Sequence, residues 1–253
     1  MRNRSIWSLP YFIFLVCFVA LPLILVAGYA FRGIDGGFTF SNIARFFTDA
    51  DALSTFAVSL DVAIENTAIC LLLGYPAAWI LANSKFNNSA VTIVLFLLPM
   101  WINALMRTLA TAELFTMLGF HLGKGTLIFG MVYDYLPFMI YPIYNILSKM
   151  DTSYSEAAQD LGATPWKVFW KVTVPLSMPG VASGILMVFM PTVSTFAISE
   201  FLTNNKIKLF GTIIQENINS SMWNYGAALA FIMLVIIGIS SLFSGDEEEG
   251  GLA

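Results

Sequence analysis

Charged residues, cysteine and histidine are all scarce in this chain. Only 11% of its 253 residues are Asp, Glu, Lys or Arg, and it has two cysteines and one histidine. Cys17 and Cys70 both lie in apolar runs, so they read as small hydrophobes, and no disulfide framework is available. His121 stands without the Cys or His neighbours that zinc requires. Neither an HExxH nor a GxSxG pattern occurs, which argues against an intramembrane enzyme. The stretch GFHLGKGT, 119–126, imitates a phosphate-binding loop. That loop needs a glycine at position 118 and a hydroxyl residue straight after the lysine, where the chain has Leu118 and Gly125. No nucleotide, metal or other cofactor is therefore expected on this chain.

Hydrophobic residues make up 58% of the sequence, with a mean hydropathy of +0.77. They are grouped in runs near the roughly 20 residues that cross a bilayer. Six spans are expected, at about 10–31, 57–82, 90–111, 126–148, 179–202 and 225–243. They leave little for a soluble domain, so 1–253 reads as one membrane domain. Arg2 and Arg4 precede the first run in the manner of a signal peptide, but the run is too long for one and reads as an anchor. Positive charge does not orient the chain. Arg2, Arg4, Lys85, Lys149, Lys167 and Lys171 fall on one side, and Arg32, Arg45, Lys124, Lys206 and Lys208 on the other, with Arg107 near the outer end of the third span.

Several residues break the apolar pattern. Asp61 and Glu65 open the second span, and Pro76 in its inner half predicts a kink or local unwinding. Asn103 and Arg107 are four apart, a spacing that turns one helix face toward the bundle. Glu113 lies near the outer end of that span. Asp134 interrupts the fourth, where a carboxylate is costly unless it faces water, protein or substrate. Gly180 and Gly184 predict close helix packing. Pro191, Thr192, Ser194, Thr195 and Ser199 make the end of the fifth span polar and breakable, and Glu200 follows. Such irregular backbone is tolerated where it lines a cavity, so a cavity lining is expected here. Residues 203–223 read as a polar outer loop, and Asp246 to Glu249 as a solvated acidic run.

Residues 156–175, EAAQDLGATPWKVFWKVTVP, form a polar island. Ser153 and Glu156 have capping-box spacing. Gly162 suits a helix C-cap, Thr164-Pro165 restarts a helix, and Pro175 closes the segment. Glu156-Ala157-Ala158, with Gly162 six residues after the Glu and Pro175 beyond, resembles the EAA loop of ABC importer permeases. The departures are Val172 and Val174, where that family usually has Ile and Leu.

This resemblance implies an all-α membrane protein with six transmembrane helices, the type I ABC importer permease fold and a cytoplasmic coupling helix. It places the 151–175 loop and both termini inside. Glu156, Ala157, Ala158, Asp160, Leu161, Gly162, Ala163 and Trp166 then dock on a separate ATPase subunit, which would carry ATP and Mg. The segments LLPMWINALMRTLA, YLPFMIYPIY and FAISEFLTNNKIKLFGTIIQ further resemble the B-type permeases of spermidine/putrescine importers, from about 70 to 235. That similarity implies a polyamine substrate, a second permease, an external polyamine-binding protein and alternating access.

In those permeases an acidic residue occupies the position of Glu200. Glu200, Asp134, Glu113 and Asn103 are the expected substrate-path residues. Acids assigned to the outer side (Asp35, Asp49, Asp51, Asp61, Glu65, Glu113, Asp134, Glu200 and Glu216) slightly outnumber the bases there, which weakly favours a cation. The alternatives are a permease for another small solute such as ferric iron, or a channel or scaffold, which would leave the EAA spacing unexplained.

Overall fold

The structure is a computed structural model that describes residues 4–33, 35–83 and 89–249. Arg2 and Lys85 lie outside the described residues. Among the described residues every regular element is helical apart from a single bridge, Arg32 to Phe38, that closes the turn at Gly36 (φ +79°).

The helices are α1 (Pro10–Ala30), α2 (Ser41–Thr48), α3 (Ala50–Asn83), α4 (Val91–Trp101), α5 (Ala104–Met117) and α6 (Lys124–Lys149). They continue as α7 (Ser153–Asp160), α8 (Pro165–Ser194), α9 (Ala197–Thr203), α10 (Phe210–Asn219) and α11 (Trp223–Glu249). By length and composition α1, α3, α6 and α8 each suffice to cross a membrane. The pair α4–α5, bent by 83°, makes a fifth such segment, and Trp223–Ile239 of α11 is a shorter apolar helix.

Four sequence expectations change. The third span is broken at Ile102–Asn103, because the Asn103 side chain caps a new helix, accepting from the N–H groups of Leu105 (2.9 Å) and Met106 (3.4 Å). Pro76 neither unwinds nor breaks α3, which runs through it. Pro175 does not close the loop either: α8 continues from Pro165 to Ser194. The helix widens into a π turn at Phe169–Thr173, where the N–H of Val174 reaches the carbonyl of Phe169. The extra residue accommodates Pro175, which brings no N–H and a bulky ring. The same device recurs in α1, where the π turn Val16–Ala20 precedes Leu21-Pro22. Finally, the expected polar loop 203–223 contains α10, whose Phe210, Gly211 and Thr212 are buried.

The core is the trio α3, α6 and α8. Lipid offers no hydrophobic drive between helices, so close packing and polar contacts hold such bundles. Met139 of α6 lies against Gly74 of α3 on one side and Gly184 of α8 on the other, while Gly180 faces the backbone of Pro142 and Ile143. Two hydrogen bonds join α3 to α8: Asn66 Nδ2 donates to Thr192 Oγ1 at 2.8 Å, and the Tyr75 and Ser177 hydroxyls lie 2.8 Å apart. Each contributes about 0.6–2 kcal/mol. α1 is lined with exposed aromatics such as Phe12 and Phe18 and leans on α11. Phe46, Phe210, Tyr225 and Leu229 join α2, α10 and α11 in a separate cluster.

Candidate translocation site and docking loop

α8 stops at Ser194, within the stretch expected to break. Thr195 is extended (φ −68°, ψ 147°), and α9 begins at Ala197. α9 packs on α5 and α6. The Thr126 hydroxyl donates to the Leu202 carbonyl at 2.8 Å, and Leu202 presses on Gly130. This seats Ile198 on a pocket of about 290 Å³ at the break between α4 and α5. Trp101, Tyr135 and Phe138 give it aromatic walls, and Asn103, Arg107 and Asp134 its polar groups. Trp101 and Phe138 also line a wider apolar groove of about 840 Å³ running toward Met187 and Pro191.

The structure brings together only some of the expected path residues. Asp134 is buried and paired: Arg107 Nη2 lies 2.8 Å from its Oδ1, and the Thr108 hydroxyl donates to Oδ2 at 3.3 Å. It is not a free carboxylate in this conformation. Asn103 is exposed at the pocket, its side-chain oxygen engaged as the α5 cap. Glu200 is half-buried, two residues past Ile198 and outside the pocket lining; Glu113 is exposed. Among the described residues neither glutamate makes an ion pair.

Sequence reasoning placed Arg107 on the bundle face but missed its partner. No local pattern reveals that pairing, because the two residues lie on different helices. The surviving signal is simply that a buried cation demands an anion.

The opposite ends of α6 carry different chemistry. At its first residue, Lys124 bridges Asp61 (2.8 Å) and Glu65 (2.7 Å) of α3. Nearby, Lys208 pairs with Glu216 at 2.7 Å, and the Tyr225 hydroxyl donates to Asp49 Oδ2 at 2.8 Å. That bond, with the Ala52 and Asp51 N–H groups and Arg45, holds the Asp49 carboxyl below its ordinary range against the opposing effect of burial. Ion pairing thus engages Asp61, Glu65, Asp134 and Glu216 of the outer-side acids, leaving Asp35, Asp49, Asp51, Glu113 and Glu200 without ion-pair partners among the described residues.

At the other end of α6 begins the 151–175 loop. Its first helix is not capped by Ser153 and Glu156. Asp151 Oδ1 accepts the Ser153 N–H at 2.9 Å, a contact that holds the Asp151 carboxyl below its ordinary range. Ser153 is already the first helical residue, one place too late to cap. The far end follows the expectation. Gly162 has φ +81°, its N–H reaches Gln159 O (2.8 Å), and the Ala163 N–H reaches Ala158 O (3.0 Å), closing a Schellman motif. Thr164 then caps the next helix through the Lys167 N–H at 3.4 Å. Residues 151–167 are all exposed or half-buried, with Leu161 90% and Trp166 70% accessible. The two short helices thus leave their apolar side chains Leu161 and Trp166 uncovered, which makes this loop a candidate docking surface.

Membrane-length apolar helices packed around α3, α6 and α8, with broken segments over a pocket, define a helical membrane-protein fold. The family description "Binding-protein-dependent transport system inner membrane component" matches residues 3–245, and the chain belongs to this family. It is 32% identical to the spermidine/putrescine transport system permease protein PotB of Escherichia coli over 252 residues, covering 90% of this chain and 91% of that one. It is 26% identical to the E. coli spermidine/putrescine permease PotC over 242 residues, 92% of each chain. In fold it resembles a chain from the crystal structure of a bacterial ABC transporter involved in import of the acidic polysaccharide alginate. The TM-score is 0.71 at 14% identity, over 100% of this chain and 97% of that one. The protein is a multi-pass ABC importer permease of type I fold.

Proposed function

We propose that this permease forms, with a second permease, the membrane path for polyamines of the spermidine/putrescine class. The observation that carries the substrate class is the 32% identity to a spermidine/putrescine permease along nearly the whole chain. The pocket supports the reading. A buried carboxylate among Trp101, Tyr135 and Phe138 suits an ammonium group on a methylene chain. Glu200, at the break between α8 and α9, and Glu113 serve as further attraction points along the path, with Asn103 at its rim.

An external binding protein delivers substrate to the end of α6 that carries Lys124, and both termini lie in the cytoplasm. An ATPase pair docks on Glu156, Ala157, Ala158, Asp160, Leu161, Gly162, Ala163 and Trp166. ATP binding and hydrolysis on those subunits move the loop. α8, about 45 Å long for its 30 residues, carries the motion from the loop to the break at Thr195–Phe196. The bundle then alternates between outward and inward openings.

The test is ATP-dependent uptake of labelled putrescine and spermidine into vesicles holding this chain with its ATPase, partner permease and binding protein. Uptake competed by either polyamine is the expected result, and Glu200→Gln is expected to depress it without loss of ATPase copurification. No polyamine uptake with the ATPase still bound would refute the substrate class and leave another small solute, such as ferric iron, to be tried.

A further inference from the structure

Among the described residues, Arg107 and Asp134 are the buried charged side chains, and they meet at 2.8 Å in the pocket lining. The pair is incompletely satisfied. Arg107 Nε and Asp134 Oδ1 are buried without a hydrogen bond, so the 2.8 Å approach of Nη2 to Oδ1 is an ion contact lacking hydrogen-bond alignment. A buried ion pair offsets its desolvation only when geometry is excellent and the remaining lone pairs are filled. This one therefore leaves an unused acceptor on Asp134, inside a cavity of about 290 Å³, near the lower end of small-molecule pockets at roughly 300–1,000 Å³.

The guanidinium has two anchors that do not involve Asp134. Its Nη1 donates to the Pro99 carbonyl at 2.8 Å, and its Cζ stands 5.5 Å from the centroid of the Tyr133 ring. Losing Asp134 would leave it held by both.

We propose that Arg107 is the resident counter-cation of Asp134, displaced onto its Pro99 and Tyr133 anchors when an ammonium group of the substrate takes the carboxylate. This rests on the polyamine reading above. An ammonium is a compact charge with three rotatable donors, able to fill Oδ1, while a methylene chain lies against Trp101 and Phe138. Asp134 stays paired before, during and after passage, so no bare carboxylate is exposed to an apolar pocket. Affinity is then the difference between two cations on one anion, which keeps binding weak enough for release.

The test uses the assembled importer, with ATPase and partner permease, in lipid nanodiscs at pH 8. Ligand-dependent thermal shifts are measured for putrescine and n-butylammonium, with 1,4-butanediol as the uncharged control. Arg107→Gln removes the competitor and is expected to tighten both amines by at least about tenfold; the diol is expected to produce no shift. Arg107→Met, a second neutral replacement should the glutamine variant not assemble, is expected to tighten them likewise. The double variant R107Q/D134N is expected to lose the gain.

A merely structural arginine would weaken binding when replaced. Unchanged or weaker amine affinity in R107Q or R107M, or tightening that survives in R107Q/D134N, overturns the exchange. The two readings fail separately. Wild-type putrescine uptake without tightening in the variants refutes the exchange alone, and tightening for n-butylammonium without any polyamine uptake refutes the substrate class alone.

Discussion

Replacing Gly162 separates two reasons for having a glycine in the docking loop. Its φ of +81° is left-handed, and a Cβ added there meets nothing within 4 Å. In the free permease the cost of a side chain is therefore conformational only. Alanine costs about 1 kcal/mol at such a position, roughly a fivefold loss of the docked loop shape. Asparagine, which tolerates this region, costs about 0.5 kcal/mol or less. A β-branched valine costs about 2 kcal/mol, roughly thirtyfold. Affinity of the ATPase subunit for permease variants in detergent, read together with vesicle uptake, checks the order. Asparagine should perform best, alanine next and valine worst. If alanine is best and asparagine is as poor as valine, the order follows side-chain volume. The glycine would then be kept for space in the ATPase groove, and the conformational reasoning would be wrong.

Two further outcomes follow from packing and charge. Gly180→Ala should lower the melting temperature of the purified bundle more than Gly184→Ala. The first Cβ meets the backbone of Pro142 at 2.9 Å, the second mainly the movable sulfur of Met139 at 2.8 Å; overpacking of this kind costs about 1–3 kcal/mol, and an equal or reversed order would refute the distinction. Tyr225→Phe removes the leading cause of the depressed Asp49 pKa. A carboxyl whose folded pKa is depressed contributes stability above its ordinary value of 3.8 and loses it as pH falls through the folded value. The melting temperatures of wild type and Tyr225→Phe should therefore differ at pH 6 and converge as the pH falls from 3.8 through the lowered folded value; a gap that persists below it would place the contribution of Tyr225 in packing.

Much of the fold was legible because the bilayer imposes a length on every apolar run, and glycines at 180 and 184 announce where helices meet. The docking loop was legible from its punctuation at Gly162, Thr164 and Pro165. Helix continuity was harder to read. Prolines at 76, 137, 142, 179 and 191 are carried inside helices, while the actual breaks fall at Ile102–Asn103 and Thr195–Phe196. A π turn lets a helix absorb a proline, and an asparagine cap starts a new one where hydropathy shows no interruption. α10 was hidden because Gln215, Glu216 and Asn217 make its stretch look polar, although Phe210, Ile213 and Ile214 mark an apolar face. The Arg107–Asp134 pair depends on the crossing of two helices and left no trace in spacing.

The π turn at Phe169–Thr173 also has a rotational meaning. One additional residue in a turn shifts everything beyond it by about 100° around the helix axis. Trp166 and Trp170, on the loop side, and Gly180 and Gly184, on the core side, therefore owe their relative orientation to that single residue. α8 thus works like a key whose handle and teeth are cut at a fixed angle. Shortening the chain by one residue there would leave both surfaces intact and point one of them the wrong way.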